Sequence, residues 1–328
     1  MISPNANRGD LDMLITIDRL QFIDDQLMCF EFIDIGDSDL GRINKGVNHF
    51  FIKDKIELLK KLFPNAFYLI QYDLQTEEFY IKYDDQAEPL NGKSKPYNLK
   101  SFKEWFHDIN NRSNFTATTK SSKPLGSMAN HTVDSYVQEI LQYIYEGDTN
   151  YPKIDFSADD NGLGLVKMAL KGNNTYGFDF DLFETSNHVV IEFLKKDFKY
   201  ITNLTAHPNR YPRNYQKFLS LWRAATAVGK NNVPNLLLIN YSDEQDKPIS
   251  VIKVLDFNLE ASITQIGIIS DIGYKFNDYE DIVNWLRELN YKPEEALRNL
   301  EGKPKEIRNA QFWEEFPANK HKIGTNYK

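Results

Sequence analysis

The sequence predicts a mixed chain of α+β and α/β character, with a separate N-terminal α+β domain followed by a C-terminal mixed sheet flanked by helices. Three observations predict it. Two pairs of alternating apolar runs, Leu14 to Ile33 and Ala66 to Asp84, read as hairpins with an amphipathic helix between them. A long polar stretch then begins at Gln86. Beyond it, a strand, helix, strand passage implies a right-handed crossover and therefore some parallel pairing. The expected domains are 1–115 (an accessory domain for recognition or assembly), 116–131 (linker), 132–260 (core) and 261–328 (helical extension and tail).

In chain order, the run from Leu14 to Ile33 turns at Asp24 and Asp25. A helix follows over Lys53 to Phe63, with Ile56, Leu58, Leu59 and Leu62 at helical spacing and Pro64 as its stop. The second hairpin alternates Phe67, Leu69 and Gln71 on one strand with Phe79, Ile81 and Tyr83 on the other. Nothing in this part carries a chemical motif, and no internal repeat is read in the chain. The polar stretch holds one short helix, Ser101 to Asn110, and more lysines than acids, so it is either a solvated linker or one that lies along a phosphate backbone. The second half starts with a helix from Ser135, whose stripe is Val137, Ile140, Leu141, Ile144 and Tyr145. Residues 163–172 read as a strand, and the hairpin Tyr176 to Lys196 follows with its turn at Thr185 to His188. A helix over Arg213 to Val228 and two strands, 235–242 and 249–257, close the core. Helices at Tyr279 to Leu289 and Pro293 to Leu300 then lead to a tail with Phe312, Trp313 and Phe316, which suits docking on the body or on a partner subunit.

Composition narrows the function class. The 328 residues are 41% hydrophobic and 26% charged, ordinary for a globular protein. A formal charge of -8 argues against a surface that binds nucleic acid throughout and leaves room for a local basic groove. The single cysteine, Cys29, excludes an internal disulfide and reads as a small buried side chain. No apolar run reaches the roughly 18 residues of a membrane span and no signal-peptide core opens the chain, so a cytoplasmic protein without membrane contact is expected.

The chemistry concentrates in the acidic hairpin. Strand alternation puts Asp179 and Asp181 on one face, and Glu192 is the only acid in an otherwise apolar second strand. Three carboxylates on one sheet repel each other and are costly to desolvate. A divalent cation held by Asp179, Asp181 and Glu192 is the simplest remedy, and oxygen ligands favour magnesium, or manganese, over zinc. From Lys195 to Lys230 the chain is basic, with Asp197 its only acid and Phe198, Tyr200, Tyr211 and Tyr215 interleaved. That mixture suits phosphates and exposed bases. Lys199, His207, Arg210, Arg213 and Lys217 are the candidate DNA contacts; His207 also reads as a general base or a plain loop residue.

With Asp179 on the second core strand and Glu192 on the third, the order of elements from Val133 to Phe257 resembles the PD-(D/E)xK superfamily, whose fold is restriction-endonuclease-like. In that family the acids hold one or two magnesium ions and a strand lysine activates or orients the attacking water. The resemblance implies a magnesium-dependent endonuclease acting on duplex DNA, with a homodimer as one open assembly. It makes Asp179 the first metal ligand, Asp181 an alternate or second one, and Glu192 the second acid. Glu139, on the first core helix, would contact the metal through water. Leu194 departs from the pattern, because the family has its lysine there. Lys195, re-aimed by a one-residue bulge, is the first replacement. Lys196, about 13 Å along the strand, is the second and Lys167, from the neighbouring strand, the third. Two rivals share the residues: a nucleotidyltransferase using the Asp-x-Asp strand, and a non-catalytic DNA- or protein-binding module.

Overall fold

The first alternating run folds as a hairpin, with β1 (Leu14–Ile23) and β2 (Gln26–Asp34) pairing antiparallel around Asp24 and Asp25. Both turn residues have positive φ, 49° and 65°, which a two-residue hairpin turn requires and aspartate tolerates. The structure, a computed structural model, describes residues 13–35, 49–84, 95–112, 135–148, 150–151, 162–171, 175–211, 214–260, 266–316 and 318–328. Among these, eight α-helices and ten β-strands make a mixed α/β protein. They fall into two compact units, Thr16–Phe180 and Met1–Ile15 with Asp181–Lys328. The linker expected at 116–131 lies outside the described residues.

In the unit Thr16–Phe180 the strand order is β1-β2-β3-β4. Helix α1 (His49–Leu62) carries the chain from β2 to β3 (Phe67–Asp73), which pairs parallel to β2 and antiparallel to β4 (Glu78–Tyr83). Ile56 and Leu59 are buried on its inner face, Phe63 is buried just past its end, and Lys60 and Lys61 in its last turn complement the helix dipole. Helix α2 (Leu99–Asn111) is capped by Asn98, whose side chain accepts the Ser101 N–H at 2.9 Å. It buries Phe102, stacked on Phe79 with ring centroids 4.4 Å apart. Helices α3 (Ser135–Ile144) and α4 (Leu163–Ala169) complete this unit. The last corrects an expectation: the sequence predicts a strand over residues 163–172, and Leu163–Ala169 form a helix. Leu165, Val166, Ala169 and Leu170 are buried at helical spacing, and Leu, Lys, Met and Ala all favour a helix. Lys167 therefore sits on α4 and not on a strand beside the hairpin.

In the other unit the order is β10-β9-β8-β7-β6-β5. The acidic hairpin pairs β5 (Phe178–Glu184) with β6 (Val189–Lys195), and α5 (Tyr215–Val228) leads to β7 (Leu236–Tyr241), parallel to β6 as predicted. Then β8 (Ile249–Phe257), β9 (Ile268–Phe276) and β10 (Lys305–Arg308) add on antiparallel. Helices α6 (Tyr279–Tyr291), α7 (Pro293–Glu301) and α8 (Ala310–Glu314) complete it. Residues 261–328 are thus not a purely helical extension, since β9 and β10 continue the core sheet. Among the described residues no helix is long and apolar enough to cross a membrane.

The passages β1-β2-α1-β3-β4 and β5-β6-α5-β7-β8 share element order and pairing: antiparallel, parallel, antiparallel.

Candidate functional site

Strand β6 reads ValValIleGluPheLeuLys and lies between β5 and β7, so its one acid is enclosed: Glu192 is 1% exposed. A buried carboxylate needs a partner, and Glu192 finds it in an ion pair with the Lys217 ammonium. Lys217 is the third residue of α5, where a cation opposes the helix dipole. Its position is therefore held by Glu192, while its side chain stays 47% exposed. The ladder between β5 and β6 ends at the pair Leu182 and Ile191. One step beyond it Asp181 stands opposite Glu192 on the same face, and Asp181 Oδ2 accepts the Phe193 N–H at 2.6 Å in place of the next strand carbonyl. Lys196 lies just past the strand end. Burial, reinforced by the charge of Lys217, pushes its pKa down to about 8, and its ammonium sits 5.2 Å from the Tyr211 ring.

Lys195 keeps the parity of a regular strand. The β6–β7 register runs unbroken from Val190 and Leu236 to Lys195 and Tyr241, so the bulge that would turn Lys195 toward Glu192 is not there. Instead Lys195 pairs with Asp243 at 2.8 Å. Glu139 is on the solvent face of α3, in the unit Thr16–Phe180. Asp179 belongs to that unit too, and its charge acts on Arg19. Burial pushes the Arg19 guanidinium down to about 10, against the pull of Asp179. Arg19 donates to Thr175 Oγ1 at 2.9 Å and to Asn110 Oδ1 at 3.1 Å. Gly177 makes room for it, since a Cβ there would lie 2.2 Å from the guanidinium carbon.

Asp181 thus meets the Phe193 amide and Glu192 meets Lys217, while the charge of Asp179 acts on Arg19. Among the described residues no three His, Cys, Asp or Glu side chains gather as a metal-holding group. A three-carboxylate cage does not fit this geometry. What fits is the oxygen pair Asp181 and Glu192, because magnesium is commonly held by one or two carboxylates and takes its other ligands from water and substrate phosphate.

The basic segment divides. Lys199 is exposed beside Tyr200, which is itself 78% exposed, with its ammonium 5.6 Å from that ring. Arg210 donates to the Lys320 carbonyl at 2.6 Å. Arg213 lies outside the described residues. Tyr211, Tyr215, Phe218 and Phe257 line a small recess on either side of Lys217 in sequence. His207 is placed inside, not at a DNA surface: it is closed to solvent and its ring lies 4.3 Å from that of Trp313. Its Nδ1 accepts the Asn209 N–H at 3.1 Å, which leaves the proton on Nε2, facing Asp271 Oδ2 at 3.4 Å. Asp271 in turn accepts from Arg308 Nε at 2.7 Å and Trp313 Nε1 at 3.0 Å. Neither β9 nor Arg308 was singled out in the sequence; the docking of the aromatic tail was.

This cluster makes the protein sensitive to acid. Burial pushes the His207 pKa down to about 4, outweighing the pull of Asp271. Burial alone would raise Asp271, but Arg308 and His207 hold it below the usual carboxylate range. For His207 the unfolded chain takes up a proton as pH falls through about 6.5, and the folded chain does not until about 4, so stability falls across that window. The depressed Asp271 adds a loss of the same sign as pH falls through its folded value. Wild type should lose on the order of 3 kcal/mol through His207 between these pH values, and His207→Gln should flatten the slope. Urea unfolding at a series of pH values reads this directly; an unchanged slope in the variant would refute it.

No family model, no curated protein and no solved structure matches the chain.

Proposed function

We propose that the chain is a magnesium-dependent endonuclease of restriction-enzyme type, built on a PD-(D/E)xK-like core and acting on duplex DNA. One observation carries the reading: the buried Glu192 shares a face with Asp181 and is met by Lys217, so a lysine from α5 stands in for the one that Leu194 replaces. Asp181 and Glu192 are the residues that would hold the ion, for which manganese would substitute. When bound, it supplies Lewis acidity and lowers the pKa of a water.

The remaining roles belong to the chain. Lys217, half exposed at the start of a helix, donates from Nζ to a non-bridging phosphate oxygen and stabilises the charge that grows there. Lys196 adds a second positive charge beside it and gives up its proton near pH 8. Lys199, Arg210 and the exposed Tyr200 track the backbone and stack on bases. A second reading, the non-catalytic binding module, is favoured by the fact that Lys217 already neutralises Glu192.

Incubation of duplex DNA with the protein and magnesium separates the two. Cleavage that disappears in Asp181→Asn and Glu192→Gln is the expected result. Binding without cleavage, unaffected by metal and by Glu192→Gln, would support the module instead.

A further inference from the structure

The two units share more than an order of elements. In the β1–β2 hairpin the ladder ends at Arg19 and Phe30, and one step beyond it Asp18 stands opposite Glu31. Asp18 Oδ2 accepts the Phe32 N–H at 2.9 Å, just as Asp181 Oδ2 accepts that of Phe193 at 2.6 Å. Glu31 is in register with Leu69 of β3, and Glu192 with Leu238 of β7. The residues that follow are Leu69-Ile70-Gln71-Tyr72 in one strand and Leu238-Ile239-Asn240-Tyr241 in the other. Lys55, from the crossover helix α1, pairs with Glu31 as Lys217, from the crossover helix α5, pairs with Glu192. Flanking backbone bonds correspond too: Cys29 N–H to Ala66 O and Val190 N–H to Asn235 O are both 2.8 Å.

The copies differ in access. The Lys55 side chain is 4% exposed and that of Lys217 47%, while the acids Asp18, Glu31 and Glu192 are enclosed at 1%, 6% and 1%. The place of the lysine within its helix differs. Helix α1 starts at His49, so Lys55 lies in its second turn. The preceding turn carries Phe51, whose ring packs edge-on against Tyr145 and Tyr151 at 5.3 and 5.4 Å, and Asp54, which accepts from the Tyr151 hydroxyl at 2.9 Å. Helix α5 starts at Tyr215, so Lys217 lies in its first turn. Lys55 also donates to Thr16 Oγ1 at 2.9 Å and lies 3.9 Å from Asp18 Oδ1, which further satisfies it internally.

We infer that residues 14–83 and 178–257 are two copies of one ββαββ unit, each holding an aspartate, glutamate and lysine centre, and that only Asp181–Glu192–Lys217 is open to a phosphodiester. In the first copy Lys55 is a permanent, enclosed counter-ion. The statement about the ligand rests on the nuclease reading; the duplication and the sealed first centre do not.

Thermal unfolding and binding of a short DNA duplex, both on the full chain, test it. Lys55→Met should lower Tm by about 10 °C, since it strands buried carboxylates. The isosteric triple variant Asp18→Asn, Glu31→Gln, Lys55→Met should recover at least half of that and bind duplex within about twofold of wild type. Lys217→Met should shift Tm by less than half as much, because the charge of a half-exposed lysine is screened by water, and weaken duplex binding about tenfold. An unchanged Tm in Lys55→Met, or a tenfold loss of binding in the triple variant, would overturn the sealed centre. A wild-type chain that binds no duplex would overturn the nuclease reading, and the Tm values of the Lys55 variants would still decide the sealed counter-ion.

Discussion

Asp271→Asn is expected to destabilise the protein by about 3–5 kcal/mol, the range for breaking a buried ion pair from one side. Asp271 is fully enclosed on β9, with Arg308 of β10 on one oxygen and the Trp313 indole on the other. An amide presents one acceptor where the carboxylate presents two, so either the guanidinium or the indole loses its bond. Arg308 is 1% exposed and also pairs with Glu306, whose oxygens take the backbone N–H groups of Gly324 and Asn326 at 2.9 and 3.2 Å. The loss would therefore spread to the last residues of the chain. Gly273 belongs to the same design, since a Cβ there would lie 2.7 Å from Arg308 Nη2. Arg308→Met should be as damaging, because it leaves Asp271 and Glu306 without their cation. The double variant should lose less than the sum of the singles. Urea unfolding at neutral pH measures all three; a change below about 1 kcal/mol in the single variants would contradict the account.

Lys217→Met is expected to slow single-turnover cleavage of duplex DNA by about 10²–10³-fold, the usual effect of removing one well-placed donor to transition-state charge. Lys195→Met should change the rate by less than about threefold, because parity keeps Lys195 off the Glu192 face and Asp243 holds it. A rapid-quench comparison at saturating protein distinguishes the rate of the chemical step from binding. Equal losses in both variants would assign the effect to general positive charge instead of to Lys217.

The hairpins, α1 and α5 were legible because their signals are local: period-two alternation, a two-residue aspartate turn, an apolar helical stripe with a proline stop. The parallel β6–β7 pairing followed from the crossover between them. Strand β9 was not legible. Asp271 and Gly273 interrupt its alternation, and both make sense only once Arg308 arrives from β10. Residues 163–172 were ambiguous for a different reason, because a short apolar run suits a strand or a helix and the packing of Leu165, Val166 and Ala169 decides.

At the candidate site, Glu192 stood out because an acid in the middle of an apolar strand must be answered by something. Strand parity points to Lys195 and Lys196 after β6 and to Lys167 beyond it, whereas the lysine that answers it comes from α5. The usable signal was there: a crossover helix begins near the C-terminal end of the strand it leaves, and Lys217 is in its first turn. His207 misled because a histidine among arginines in a proline-bounded loop looks exposed, whereas Asp271 and Trp313, both distant in sequence, enclose it. The repeat was hidden for a similar reason. Little beyond Glu-Phe in the second strand and Leu-Ile-x-Tyr in the third is shared as sequence, while register and side-chain bonds are shared throughout.

Glu192→Gln is tested by single-turnover cleavage of duplex DNA in the presence of magnesium, with folding checked by Tm. The predicted result is cleavage by wild type and at least a hundredfold loss in the variant. Cleavage by Glu192→Gln at the wild-type rate would contradict the claim that this carboxylate, met by Lys217 and facing Asp181, is the working centre.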